Sequence, residues 1–302
     1  MGKIAFVFSG QGAQYPGMGK EIYEISNGAK AIFETVDSIR PNTSELCFEG
    51  EGEQLNKTIN TQPCVFTVDL ACAEALLEIG IKPDAIAGFS LGEIAAITFA
   101  GILSLNDGTK LVSKRAELMS KASRDVEGAM VAVMKMEPEK VKALADEMGV
   151  YAVNFNSQMQ TAVAGENGKI KEFTKAVKGE KAIAVPIKVS GAFHTPYMKS
   201  ATEGLKEKLL NLEVKKPKID VYSNITGKLY PNEKDKIIDA ISNQASSPVM
   251  WHQTILNMVS DGYDEFYEVG PGNTLTNLIK KIAPKVKVLS IEKKEDIENV
   301  KK

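Results

Sequence analysis

The sequence predicts an α/β fold with a mostly parallel sheet, interrupted by a smaller unit of different pattern. Three observations predict it. Continuous apolar runs at Ile4 to Phe8 and Ile86 to Phe89 read as buried strands, each leading into a glycine-bearing turn. Between them, Val65, Val68, Leu70, Ala71, Leu76 and Leu77 fall at helical spacing within residues 62–79, and strands that alternate with helices pair in parallel. The third observation is a change of rhythm between about Gly128 and Val189, where short strands and helices follow one another closely.

Within that stretch, Met130 to Met134 reads as a strand, and Pro138 to Met148 as a helix opened by proline near its first turn. Tyr151 to Asn154 and Thr161 to Ala164 read as two short strands, Ile170 to Val177 as a helix, and Ala182 to Ile187 as a last strand. The order βαββαβ is that of the ferredoxin-like unit. The expected division is therefore residues 1–127 with 190–302 as one domain and 128–189 as an inserted subdomain. A strand at Glu265 to Val269 and a helix at Thr274 to Ile282 close the larger domain, and the Lys-rich tail after Ser290 is expected to be a solvated helix or a frayed end.

The chain has 302 residues, enough for a large domain with an insertion. Its net charge of −2 gives no overall attraction to nucleic acid or an anionic membrane, so neither is expected as a partner. Cys47, Cys64 and Cys72 are odd in number and have no metal-ligand spacing, so no metal and no cofactor are expected. Buried free thiols suit a reducing, cytoplasmic compartment. The opening apolar run is too short for a signal peptide, and Ile94 to Leu103 is about half a membrane span.

Chemistry enters at Gly88-Phe89-Ser90-Leu91-Gly92, a G-x-S-x-G pattern placed between a strand and a helix. Its glycines leave room for a strained turn that exposes the serine hydroxyl, and the helix that follows aims the Leu91 amide at the site. A serine needs a base. The chain has two histidines, His194 and His252, and His194, in the loop beyond the insertion, is the candidate. Gly10-Gln11-Gly12 offers closely spaced amides for a phosphate or an oxyanion, but it fits neither a Walker loop nor a dinucleotide fingerprint. Arg115, flanked by Lys114 and Glu117, reads as a solvated residue of a charged helix.

Taken together, Phe8 to Gln14, Thr61-Gln62-Pro63, Gly88 to Glu93, Arg115 to Met119, Asn154 to Ser157, Gly191 to Met198, Pro248 to Trp251 and Glu268 to Gly272 resemble the malonyl-CoA:acyl carrier protein transacylases of fatty acid biosynthesis along nearly the whole chain. The resemblance implies an α/β-hydrolase-like domain carrying the ferredoxin-like insertion. It implies Ser90 as acyl-carrying nucleophile, His194 as general base, and the amides of Gln11 and Leu91 as the oxyanion hole. Arg115 would grip the malonyl carboxylate, Met119 and Phe193 would shape the acyl pocket, and Asn156 and Gln62 would lie near the site. Malonyl-CoA and holo acyl carrier protein would be the partners, the latter on a basic face drawn from Lys188, Lys280, Lys281, Lys285 and Lys287. Phe89, Ser9 and Met250 depart from the family's usual residues, and the carbonyl of Met250 is expected to orient His194. A thioesterase-like hydrolase, a transacylase serving polyketide synthesis or malonate decarboxylation, and a non-enzymatic acyl-binding protein are the alternatives.

Overall fold

The computed structural model describes residues 2–301. Five strands, β1 (Lys3–Phe8), β2 (Ala85–Gly88), β7 (Asp220–Tyr222), β8 (Tyr263–Val269) and β9 (Lys287–Ile291), form one sheet in the order β7-β2-β1-β8-β9. Every pairing in it is parallel. Ala5 to Phe8 and Ala85 to Ala87 are fully buried, as strands covered on both faces must be, and this explains their unbroken apolar runs. From β1 the chain crosses to β2 on one side, and β8 returns on the other. A crevice at the carboxyl ends of the strands is expected beside such a reversal of order. The turns after β1 and β2 carry Gln11 and Ser90 into that crevice.

The second sheet is antiparallel, with β3 (Gly128–Met134), β4 (Tyr151–Ser157), β5 (Gln160–Glu166) and β6 (Ile183–Ile187) in the order β4-β5-β3-β6. The helices Pro138–Glu147 and Asn167–Gly179 pack on it through Val141, Ala145, Ile170, Phe173 and Val177, giving it a core of its own. Element order and strand order are those of a ferredoxin-like unit. An isolated bridge joins Asn154 of β4 to Val249, so this sheet meets the segment that follows residue 243.

Two elements differ from expectation. The helix expected from Gln62 begins at Thr58 and continues to Glu78 with Pro63 inside it. Proline removes the amide that would have bonded the Ile59 carbonyl, and Arg40 Nη2 donates to that carbonyl instead, at 3.3 Å. The tail after Ser290 ends in the helix Lys294–Val300, as expected, whereas the strand just before it, β9, is not among the expected elements. Its pairing with β8 hides Val288 and Ile291, while lysines on either side give the segment its solvated character in sequence.

Candidate active site

The turn after β2 is held by close backbone packing. A β-carbon on Gly88 would come within 2.1 Å of Gly92, and one on Gly92 within 2.2 Å of the Phe8 carbonyl, so neither position accepts a side chain. Ser90 is left at φ 53°, ψ −102°, a conformation that a serine adopts only when its surroundings enforce it. The helix Leu91–Phe99 starts at the next residue, where the Leu91 amide, at the first helical position, has no intrahelical acceptor. The β1 turn lies against this elbow. Phe89 N donates to Phe8 O at 3.0 Å, and a β-carbon on Gly10 would meet the Phe89 carbonyl at 2.8 Å. A cavity of about 170 Å³ lined by Gly10, Gln11, Gly12 and Phe89 opens beside the two turns.

His194 reaches the serine from the far side of the insertion. Its Nε2 lies 2.7 Å from Ser90 Oγ, and its Nδ1 lies 3.0 Å from the Gln244 carbonyl and 3.1 Å from the Ser247 carbonyl. Carbonyls only accept, so Nδ1 carries the proton and donates it to them. Nε2 is therefore the free lone pair that accepts from the serine. Burial and the nearby Arg115 push the imidazole down to about 4, keeping it in the neutral, basic form.

The expectation that Met250 orients the histidine is incorrect. The Met250 carbonyl accepts from both Thr254 N and Thr254 Oγ1 at 2.9 Å, because Met250 caps the helix Trp251–Ser260 and its carbonyl closes the first turn. Gln244 and Ser247, a few residues earlier, supply the carbonyls instead. His252 lies within that same helix, apart from the serine's partner.

Arg115 is buried, against the reading of its helix as a charged surface. Leu105–Asp125 turns Arg115 and Met119, one helical turn apart, inward and leaves Lys114 and Glu117 to pair outside at 3.0 Å. Arg115 Nη1 donates to Gln62 Oε1 and Nη2 to Gln244 Oε1, both at 2.8 Å, and Nη2 stands 3.4 Å from Ser90 Oγ. Among the described residues no carboxylate lies within ion-pair distance of it. Burial draws the guanidinium down to about 10, with Glu93 opposing. A hidden cation held by neutral amides next to the nucleophile is a seat for an anion.

Around this pair, Gln62 Nε2 donates to Gln11 Oε1 at 3.3 Å and approaches Met119 Sδ at 3.5 Å, and Gln11 Nε2 donates to Thr58 Oγ1 at 3.2 Å. Gln62, Gln11, Met119 and Arg115 thus form one connected lining. Phe193, next to His194, and Asn156, on β4, are both buried; the Asn156 side-chain oxygen has no protein partner. Phe89 packs edge-on against Trp251 with ring centres 5.5 Å apart, which accounts for an aromatic residue beside the nucleophile. Ser9 Oγ donates to the Pro271 carbonyl at 3.2 Å and ties the β1 turn to the Gly270–Gly272 loop.

The acyl transferase domain family matches the chain over residues 5–298. The chain belongs to the acyl transferase family. The malonyl CoA-acyl carrier protein transacylase of Bacillus subtilis is 38% identical over 305 residues, covering 99% of this chain and 96% of that protein. The crystal structure of the malonyl CoA-acyl carrier protein transacylase from Clostridium perfringens superposes with a TM-score of 0.94 at 35% identity, covering 99% of this chain and 96% of its own. A malonyl-transacylase solved in complex with the holo acyl-carrier protein of a type II polyketide synthase gives 0.94 at 29% identity, covering 98% of each chain.

Against the fold of this acyl transferase, four participants had no signal in the sequence. Gln244 and Ser247 offer carbonyls, which leave no trace in residue type. Asn224 accepts from Ser90 N at 2.7 Å, and Tyr230 donates to the buried Glu93 carboxylate at 2.9 Å. Glu93 was visible only as the residue that ends the serine motif. Burial raises its carboxyl to about 7, while hydrogen bonds from Asn224 and Tyr230, and Arg115, oppose the rise.

Proposed function

We propose that this chain is a malonyl-CoA:acyl carrier protein transacylase of fatty acid biosynthesis, working by ping-pong transfer through a malonyl-serine ester. Ser90 Oγ attacks the thioester carbonyl of malonyl-CoA while His194 Nε2 takes its proton. The tetrahedral oxyanion forms between the amides of Gln11 and Leu91, each worth about 3 kcal/mol in such a position. The oxyanion collapses, CoA leaves as the thiol with the proton from His194, and the malonyl ester stays on Ser90. The phosphopantetheine thiol of holo acyl carrier protein then gives its proton to His194, attacks the ester and regenerates the serine.

The observation that carries this reading is Arg115. Its guanidinium lies 3.4 Å from Ser90 Oγ, is buried, and among the described residues has amide partners but no carboxylate within ion-pair distance. A malonyl carboxylate supplies the missing charge, and an acetyl group does not, so discrimination on the order of 10⁴-fold is expected. A hydrolase has no use for that cation. Met119 and Phe193 shape the pocket, with Gln62 and Asn156 beside it. No cofactor and no metal takes part in these steps.

The carrier meets an exposed basic face. Lys188, Lys280, Lys281, Lys285 and Lys287 are each exposed, and Lys287 is paired with Glu265 at 2.6 Å. The inserted unit, residues 128–189, meets the rest of the chain through β4, where Asn154 bridges to Val249. Among the described residues no helix is long and apolar enough to cross a membrane, and the three buried free thiols suit the cytoplasm. Intact mass after mixing with malonyl-CoA tests the proposal. A malonyl adduct that holo carrier protein discharges is expected, and steady release of free malonate without carrier would instead favour a hydrolase.

A further inference from the structure

The strained elbow and the histidine-orienting carbonyls lie on different parts of the chain, and the side chains of Asn224 and Gln244 join them. Asn224 follows β7 by two residues and is fully buried. Its Nδ2 donates to the Gly88 carbonyl at 2.5 Å and its Oδ1 accepts from Ser90 N at 2.7 Å, so one amide group bonds both sides of the elbow. Its main chain is engaged as well. Asn224 N donates to Glu93 Oε1 at 2.8 Å, and Asn224 O accepts from Met250 N at 2.8 Å. Gln244 completes the join: its Nε2 donates to the Ser90 carbonyl at 2.5 Å and reaches Asn224 Oδ1 at 3.5 Å, while its own carbonyl accepts from His194.

We propose that Asn224 is a positioning residue of the transacylase reaction, a brace that holds the nucleophile elbow in its strained form and in register with the segment aiming His194. The inference rests on the acyl-transfer reading of the site. The two contacts at the elbow require an amide here and no other group. Gly88 offers only a carbonyl and Ser90 only an N–H at these points, so the brace must donate on one atom and accept on the other. A hydroxyl is too short to span both, and an ionised carboxylate cannot donate. Asn224 touches neither substrate nor the reacting atoms. It acts by keeping Ser90 at φ 53°, where Oγ faces Nε2.

The requirement for one donor and one acceptor gives a chemical test. A protonated aspartic acid has the same shape and the same pair of functions as asparagine, whereas aspartate has lost the donor and repels the Gly88 carbonyl. Asn224→Asp should therefore work better in acid, where the carboxyl keeps its proton. The charged and titratable groups around the position are Glu93 from the helix Leu91–Phe99, Tyr230 through Glu93, Arg115 from the helix Leu105–Asp125, and His194 from its loop. Glu93 favours a protonated aspartic acid, and Arg115 opposes it. His194, held down to about 4, remains a base through the acid range of the test.

The experiment follows single-turnover malonylation of Ser90 by malonyl-CoA, and separately the sulfonylation of Ser90 by phenylmethylsulfonyl fluoride, which makes no use of Arg115. Asn224→Ala is expected to lower the maximal acylation rate about 100-fold, the size of a small misplacement of a reacting group, with the half-saturating malonyl-CoA concentration changed less than about threefold. Sulfonylation should fall in parallel. For Asn224→Asp, the rate relative to wild type should rise at least about tenfold between about pH 8 and about pH 5.5. Circular dichroism establishes that each variant is folded. A folded Asn224→Ala protein acylating within about threefold of wild type, or an Asn224→Asp ratio that does not change with pH, overturns the proposal. If the wild type takes no malonyl group, the functional reading fails, and the sulfonylation rates still decide the role of Asn224.

Discussion

Ser90 Oγ and His194 Nε2 face each other at 2.7 Å, and both residues sit at positive φ, 53° and 62°. Neither is glycine, so each conformation is imposed by its surroundings: the glycine-packed elbow for the serine, and for the histidine the hydrogen bond its N–H donates to the Ala245 carbonyl together with the carbonyls of Gln244 and Ser247. Ser90→Ala should give no malonyl adduct by intact mass. His194→Ala should slow acylation by about 10²–10⁴, the usual worth of a positioned base. An adduct of equal yield on Ser90→Ala would place the nucleophile elsewhere.

Arg115→Ala should lose malonyl transfer far more than acetyl transfer. Removing the cation abolishes the partner of the malonyl carboxylate but nothing that an acetyl group uses. The ratio of kcat/KM for malonyl-CoA to acetyl-CoA should fall by on the order of 10³ or more. Arg115→Lys should restore only part of it, because an ammonium cannot span Gln62, Gln244 and a carboxylate as the planar fork does. Equal losses for both thioesters would make Arg115 a structural residue alone.

Gln244 and Met250 should separate in a pair of variants. Gln244→Ala keeps the carbonyl that orients His194 but removes the side-chain oxygen on Arg115 and the donor to the Ser90 carbonyl, so malonyl-CoA use should fall by about tenfold to 100-fold. Met250→Ala leaves the carbonyl in its helix cap and should change acylation by less than about threefold, measured under the same conditions. A larger loss at Met250 than at Gln244 would show that the Gln244 side chain does not hold Arg115 and the Ser90 carbonyl in place.

The pH dependence follows from the depressed imidazole. A base at about 4 is unprotonated well below the range of an exposed histidine, so the acid limb of kcat/KM should fall near pH 4 rather than near the ordinary value of 6.5. The sign for stability is fixed by the same shift. The unfolded imidazole takes up its proton first, so this group's contribution is lost as pH falls from 6.5 towards 4. Glu93 works in the opposite sense, favouring the fold in acid and giving up that contribution as pH rises through about 7. Titration of His194 by NMR near 6.5 would contradict the burial on which this rests.

Phe193 lies buried next to the base, and its bulk should disfavour a branched malonyl group. Methylmalonyl-CoA should be a poor substrate, and Phe193→Ala should raise its use relative to malonyl-CoA by about tenfold, consistent with the worth of one methyl group in a filled pocket. Equal rates for the two thioesters on the wild type would remove Phe193 from the pocket wall.

Much of this architecture was legible because buried parallel strands write themselves as unbroken apolar runs. The β1 and β2 runs are of this kind, whereas the antiparallel second sheet showed itself through the close succession of short strands and helices. β9 was not legible, since an edge strand with lysine and serine among its residues has no unbroken apolar run to mark it. The same limit governed the site. Ser90 stood out through its glycines and His194 through scarcity, but Arg115 looked like any charged residue of an amphipathic helix until packing turned it inward. Asn224 and Gln244 were invisible for a related reason. An amide that bonds to distant backbone gains its meaning from the approach of segments more than a hundred residues apart, and no local pattern records that approach.

The histidine takes its bearing from peptide carbonyls, and this sets where the enzyme is vulnerable. A side-chain orienter can be deleted by one base change, whereas a carbonyl survives every substitution at its own position. Damage to the aim of the imidazole should therefore come from altered loop length between residues 243 and 251, or from a proline that bends it. Exchange of Ser247, whose carbonyl does part of the aiming, should matter far less.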